Sequence, residues 1–441
     1  MKDELLHISD KIIKGLKKKG ADDVIVISTK SDKLMVRFSD NKVTVSQSWN
    51  TMGAEALSIF GKRKVISSFG NLQEDALLRS FERAAKEAEL ASDSEKFEPL
   101  PNGRKFEDRF TDSQVDVDAV NDQLSIAVNA ALRNGAERVA GVFTATIGNT
   151  SLLSTGGAEG YSEKSVYELN IRGFNGEASG QGLSCGTKIS KLVPERAGTE
   201  AGIYAKEGKT TIEWHAGKYC VILGQIICAN LLEAVGDASS AFNIEAGISC
   251  LEGKLGKQAL SKKLTIVDDG SDETALNSRM FDDEGVPTKK NTIVEDGVLR
   301  KYLHNTETAK RFDTKSTGNA GWINPSPWNL QVNAGNFSHE EMLDGLKDGV
   351  YMVSNWYTRF QNYGTGDFST ICRDGTFLVR NGEIKGAIKG ARVSDNLLRV
   401  FNSIEVMGKE RRWIHWWEVD MPTLLPAIMV SEVNLTKAQE K

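Results

Sequence analysis

Residues 231–237 read Leu-Leu-Glu-Ala-Val-Gly-Asp and place two carboxylates, Glu233 and Asp237, in a short apolar helix that ends near a glycine. Carboxylates in such a setting can move protons or ligate a cation through oxygen. A second acidic group, Asp282-Asp283-Glu284-Gly285, offers oxygen ligands for calcium or magnesium. It lacks the EF-hand spacing, so it reads as a solvated turn. Zinc asks for about four nitrogen, sulfur or oxygen ligands, usually in closely spaced pairs. His7, His215, His304, His339 and His415 are isolated, and Cys220 and Cys228 have no paired partner, so they read as core or surface residues.

Nucleophile and phosphate signals are weak. Gly182-Leu183-Ser184-Cys185-Gly186 has the Gly-x-Ser-x-Gly spacing but reads as a glycine-rich turn and not as a nucleophile elbow. Cys185 lies in a glycine-rich turn and reads as a structural thiol. The glycines of 176–182 lack the Lys-Ser/Thr ending of a phosphate loop and read as hairpin corners. Residues 409–417 mix cations with Trp413, Trp416 and Trp417, a combination that can stack on bases. Glu410, Glu418 and Asp420 dilute its charge, which favours a packed aromatic strand or a partner interface.

The elements that must carry these residues belong to a chain of 441 residues, long enough for two or three domains. Its net charge of −5 argues against a broad phosphate-binding surface. No apolar run approaches the roughly 18–20 residues that cross a bilayer. The start leads into an amphipathic segment rather than a signal peptide. Five scattered cysteines suit free thiols in a reducing cytoplasm.

Leu5, Ile8, Ile12 and Leu16 recur at helical spacing, with Gly20 as a stop. Val24, Val26, Leu34, Val36 and Phe38 alternate with polar residues as half-buried strands do. Asp40-Asn41 and Trp49-Asn50 read as hairpin turns, 52–60 and 64–69 as strands, and 77–90 as helix. The order then recurs: Gly135-Ala136-Glu137-Arg138-Val139 echoes Gly20-Ala21-Asp22-Asp23-Val24, and Arg196-Ala197-Gly198 echoes Arg83-Ala84-Ala85. The expectation is an α+β fold with an N-terminal domain over 1–208, made of repeats 1–91 and 113–208. These repeats are joined by a connection over 92–112. A β-rich domain with short helices follows over 209–441. Long hairpins with few chemical groups suggest a scaffold or channel wall.

Several strings of the second half carry a resemblance: Ser240-Ala241-Phe242-Asn243, Lys254-Leu255-Gly256-Lys257, Phe281-Asp282-Asp283-Glu284-Gly285, Thr317-Gly318-Asn319, Gly366-Asp367-Phe368-Ser369 and Asn381-Gly382-Glu383-Ile384. In order and spacing they resemble the TldD/PmbA family, once labelled modulators of DNA gyrase. The resemblance covers nearly the whole chain and is most specific from Cys220 onward. It implies an N-terminal α+β domain, a β-rich C-terminal domain, and membership of a zinc-dependent peptidase built of two kinds of subunit. The TldD type carries a His-Glu-x-x-x-His helix and a later Cys-Gly-Lys string as zinc ligands. The PmbA type, also called TldE, lacks them and pairs with TldD. The complex trims unfolded peptides and precursors, including microcin precursors and antitoxins.

Laid on that helix, this chain has Leu232 and Asp237 where the family has histidines, and Met407 where it has cysteine. Leucine cannot ligate zinc and a thioether is a poor ligand for it. Glu233 keeps the general-base position but would have no metal-bound water to act on. The resemblance therefore implies a PmbA/TldE-type subunit with no catalytic or metal residues of its own. Zinc is expected in a TldD-type partner, bound as a heterodimer or larger complex, with a homodimer when the chain is alone. The expected substrate is an unfolded peptide, with no nucleic acid and no membrane, in the cytoplasm. Two alternatives stand beside this reading. One is a self-sufficient metallopeptidase using Glu233, Asp237 and the 282–284 loop. The other is an interaction protein linked to gyrase modulation.

Overall fold

The computed structural model describes residues 1–94, 98–111 and 115–437. Parts of the expected connection, 95–97 and 112, and the expected start of the second repeat at 113, lie outside the described residues, as does 438–441. The chain opens with α1 (Lys2–Lys18), β1 (Asp23–Ser39), β2 (Lys42–Phe60), β3 (Arg63–Phe69) and α2 (Glu74–Leu90). The same α-β-β-β-α order follows in α3 (Val117–Arg133), β4 (Arg138–Ser154), β5 (Glu159–Asn175), β6 (Ala178–Gly186) and α4 (Pro194–Glu207). The strands join in one antiparallel sheet, ordered β3-β2-β1-β4-β5-β6.

In α1, Leu5, Ser9, Ile12 and Leu16 fall on one stripe and are buried, as the helical spacing requires. Across the sheet, alternation sends side chains to two different places. Tyr167, Leu169 and Ile171 of β5 join the core beneath α3 and α4, while Ser162, Lys164, Val166 and Glu168 face the other way. α3 and α4 pack closely because glycine removes the intervening side chain: a Cβ on Gly198 would lie 2.1 Å from the Ala127 carbonyl oxygen.

Two local expectations fail here. Trp49-Asn50 is not a turn: both residues lie inside β2, Trp49 opposite Lys33 and Asn50 opposite Asp32. The hairpin is longer than the local turn signal suggests, and its reversal is at Asp40-Asn41, both at positive φ. Gly180 and Gly182 are not hairpin corners either. They lie within β6, where α4 approaches so closely that a Cβ on Gly182 would sit 1.9 Å from the Ala197 carbonyl oxygen.

The second half supplies β7 (Gly217–Leu223), α5 (Gln225–Ala238), α6 (Ala241–Glu245), β8 (Ile266–Asp269), β9 (Lys290–Glu295), β10 (Val298–Leu299), α7 (Thr306–Arg311), β11 (Leu330–Val332) and α8 (His339–Leu346). It continues through β12 (Asp348–Asn362), β13 (Asp367–Arg380), β14 (Glu383–Ala387), β15 (Ala391–Asn396), α9 (Leu397–Asn402), β16 (Ile404–Met407), β17 (Arg412–Trp416), β18 (Val419–Leu425) and β19 (Ile428–Lys437). One sheet runs β10-β9-β8-β11-β18-β17 and the other β12-β7-β19-β15-β13-β14. α5 packs against β12 and β7 of one sheet and against β18 and β17 of the other. That placement explains its composition: Ile226, Ile227, Cys228, Ala229, Leu231, Leu232 and Val235 are all buried, as in a helix apolar almost all round.

The aromatic-cationic segment is a strand that docks on the first sheet. Arg412 pairs with Glu200 of α4 at 2.7 Å, His415 pairs with Glu168 of β5, and the Cys185 thiol of β6 donates to the Trp413 carbonyl at 3.2 Å. Burial pushes that thiol up to about 12. Among the described residues no helix is long and apolar enough to cross a membrane.

Candidate functional site

The polar residues of α5 share one stripe. Asn230, Glu233 and Asp237 are spaced three and four apart and line one cavity of about 720 Å3 with Glu418, Asp420, Arg359 and Trp417. The helix holds each of them by a different bond. Asn230 Nδ2 donates to the Glu418 carbonyl at 2.6 Å, and its Oδ1 accepts from Asn355 and Thr358. Glu233 Oε1 accepts the Met421 N–H of β18 at 2.8 Å. Asn243 Nδ2 donates to the Asp237 carbonyl at 2.8 Å and closes the end of the helix.

Both carboxyls are pushed toward neutral pH. Burial lifts Glu233 to about 7, helped by the nearby Asp237 and Asp420 charges and opposed by the Met421 N–H. Burial and Asp420 lift Asp237 to about 6. Asp237 also sits in the last turn of α5, where the helix carbonyls disfavour negative charge. A carboxyl that holds its proton near neutrality can donate it, and a neighbour that has lost one can accept it.

The sequence-derived site residues do not converge. Leu232 is 1% exposed and belongs to the core, not to the cavity wall. On an ideal helix it points about 140° away from Asp237. A metal-binding pair at that spacing would need the helix to end or bulge at Gly236, but it runs unbroken to Ala238. The glycine serves packing, because a Cβ there would lie 2.9 Å from Leu330 Cδ1 and 3.1 Å from the Met421 sulfur. Met407 ends β16, buried, with its sulfur 4.0 Å from Asn333 Nδ2, and it is absent from the cavity wall.

Zinc does not fit this donor set. Leu232 has no donor atom, Met407 is turned to Asn333, and what remains is two oxygen ligands on one helix face with Asp420 opposite. Among the described residues no group of three or more His, Cys, Asp and Glu side chains could hold a metal ion.

The acidic loop is neither solvated nor a cation site. Asp282 is fully buried and accepts the N–H groups of Glu284, Val286 and Ala320. Glu284 accepts the N–H of Thr306 at 2.8 Å. Phe281 packs on Phe106 at 5.2 Å between ring centres, so this turn fastens the two halves of the chain together. A type of turn rich in acids looks solvated in sequence, and only its long-range N–H partners show otherwise. The isolated histidines scatter: His7, His215 and His339 are exposed. His304 is buried against the Phe312 ring, and burial lowers it to about 4.

A second cavity, about 580 Å3, lies between the open face of the first sheet and residues 276–283. Asp420 lines both cavities. Lys164, Glu168, Asn230 and Arg279 carry no signal in the sequence, and Asp420 enters there only as a charge beside the aromatic segment. Charged residues in an alternating strand look like solvent-facing ones until a distant segment covers them.

A helix held between two β-sheets, beside a long antiparallel sheet backed by four helices, defines an α+β protein of the TldD/PmbA fold. Residues 216–437 match the family described as PmbA/TldA metallopeptidase C-terminal domain, half of the chain, and the chain belongs to this PmbA/TldD family. A metalloprotease of Methanocaldococcus jannaschii is 34% identical over 200 residues, covering 44% of this chain and 44% of that protein. The chain thus matches less than half the length of that relative. Two solved structures share the fold. TldE from Thermococcus kodakarensis superposes with a TM-score of 0.85 at 20% identity, over 97% of this chain and 100% of that one. A protein of Thermotoga maritima described as a putative modulator of a DNA gyrase gives 0.83 at 22% identity, over 98% and 100%.

Proposed function

We propose that the chain is the PmbA/TldE-type, non-catalytic subunit of a TldD-like zinc metallopeptidase complex that cleaves unfolded peptides or precursors in the cytoplasm. The observation that carries this reading is the state of α5. Where the family helix has two histidines, this one has a core leucine, Leu232, and an aspartate, Asp237. Its glutamate is already bonded to Met421 N–H. The long first sheet and the cavities beside it suit a chamber wall that confines an extended peptide. Five free cysteines among the described residues suit a reducing compartment. The test is peptide cleavage by the purified chain with and without a TldD-type partner. Cleavage that needs the partner supports the reading, and equal cleavage by the chain alone sinks it.

A second reading rests on a separate observation, the raised carboxyls of Glu233 and Asp237 in one cavity. Such a pair could perform acid–base peptide hydrolysis within this chain. Glu233→Gln decides it: loss of an activity intrinsic to the chain would support the second reading, and its persistence would rule out Glu233 as base.

A further inference from the structure

The cavity over the open face of the first sheet contains an amine without a counter-ion. Lys164 of β5 projects among hydroxyl-bearing and small neighbours on the strands (Thr146, Gly148 and Ser162 among them), and a Cβ added at Gly148 would meet nothing within 4 Å. Its Nζ donates to Asn277 Oδ1 at 3.0 Å, and among the described residues no carboxylate pairs with it.

Beside Lys33 and Asp420, which also line the cavity, its other charges already have partners. Arg279 pairs with Asp283 at 2.9 Å. Glu168 takes His415 and the Thr144 hydroxyl. Glu55 accepts the Trp322 indole N–H at 2.7 Å. An ammonium held away from bulk water with spare N–H donors is unfavourable until an anion reaches it. Burial and the nearby Arg279 lower the amine to about 7, opposed by the charge of Glu168, which is not in contact with it.

We infer that Lys164 anchors a ligand carboxylate, the C-terminal carboxylate of a bound peptide whose chain runs past Asp420 into the cavity of Glu233. This deepens the subunit reading above and rests on it for the choice of a peptide. Three features of the site favour the class. The hydroxyl-lined floor suits a polar backbone, and a compact ammonium suits a single carboxylate. Asp420 lines both cavities, which places them side by side.

The experiment uses the full chain and three neutral-backbone probes: acetyl-Ala-Ala-Ala with a free carboxylate, the same peptide as its amide, and acetyl-Ala-Glu-Ala amide. Affinities by calorimetry should favour the free acid over its amide at least tenfold. Lys164→Met should erase that preference with an unchanged or higher Tm, and Lys164→Arg should keep most of it. Equal affinities, no binding of the free acid at millimolar concentration, or a preference that survives Lys164→Met would overturn the anchor. Equal binding of the glutamate-only amide would overturn the assignment to a chain end. Binding is read on the chain alone, and the subunit reading is judged by partner-dependent cleavage, so either can fail without the other.

Discussion

Glu233 and Met421 are joined by a carboxylate that accepts a backbone N–H at 2.8 Å, linking α5 to β18 at the cavity floor. The bond gives the carboxyl a structural task, and its surroundings still hold the proton on to about pH 7. In an unfolded chain the same group releases its proton near 4.5. The folded state therefore binds more protons between these values, and stability must fall as pH rises from about 4.5 to about 7.

Glu233→Gln keeps an acceptor for Met421 N–H and removes the titration. It should flatten that slope and raise stability at pH 8 by about 1–2 kcal/mol, reduced from the full shift because the cavity admits solvent. Asp237→Asn should act in the same direction and more weakly, since Asp237 is open to the cavity. Urea unfolding at pH 5, 7 and 8 measures both. An unchanged slope would mean that Glu233 is charged when folded.

Arg412 and Glu200 fasten the aromatic strand β17 to α4, with side chains only 9% and 20% exposed. Removing one partner strands a buried charge, so Glu200→Ala should cost about 3 kcal/mol or more. Replacing both, Glu200→Leu with Arg412→Met, should restore most of that loss. Thermal melts of the two variants discriminate between this and a pair that contributes nothing.

The α3–α4 contact predicts a steric failure. Gly198→Ala gains about 1 kcal/mol of helix propensity, but its Cβ would meet the Ala127 carbonyl at 2.1 Å. Backbone must move, and overpacking of about 1–3 kcal/mol should leave a net loss. The exposed Ile126→Ala on α3 is the control, with a change within about 0.5 kcal/mol.

Local signals were legible where one residue pattern answers to one face. The stripe of α1 and the Asp40-Asn41 reversal depend on neighbours a few residues away, and both stand as read. Trp49-Asn50 misled because a turn-favouring asparagine sits inside a strand whose partner, β1, continues opposite it. Gly236 misled because a helix glycine marks either an end or a close approach, and Leu330 and Met421 come from distant segments. The acidic loop and Lys164 share that cause: the N–H groups that bury Asp282 and the 276–283 segment that covers Lys164 are tertiary facts. The assignment of Leu232, Asp237 and Met407 to the family's ligand positions rests on the resemblance, whereas the bond that holds Glu233 needed β18 in place.

As proposed above, this chain carries no zinc centre and acts through a partner. Metal analysis of the purified full chain, with cleavage of an unfolded peptide assayed before and after EDTA, tests it most directly. The expected result is far less than one zinc per chain, no EDTA-sensitive cleavage by the chain alone, and cleavage once a TldD-type subunit is added. One zinc per chain with EDTA-sensitive cleavage in the absence of any partner would contradict it.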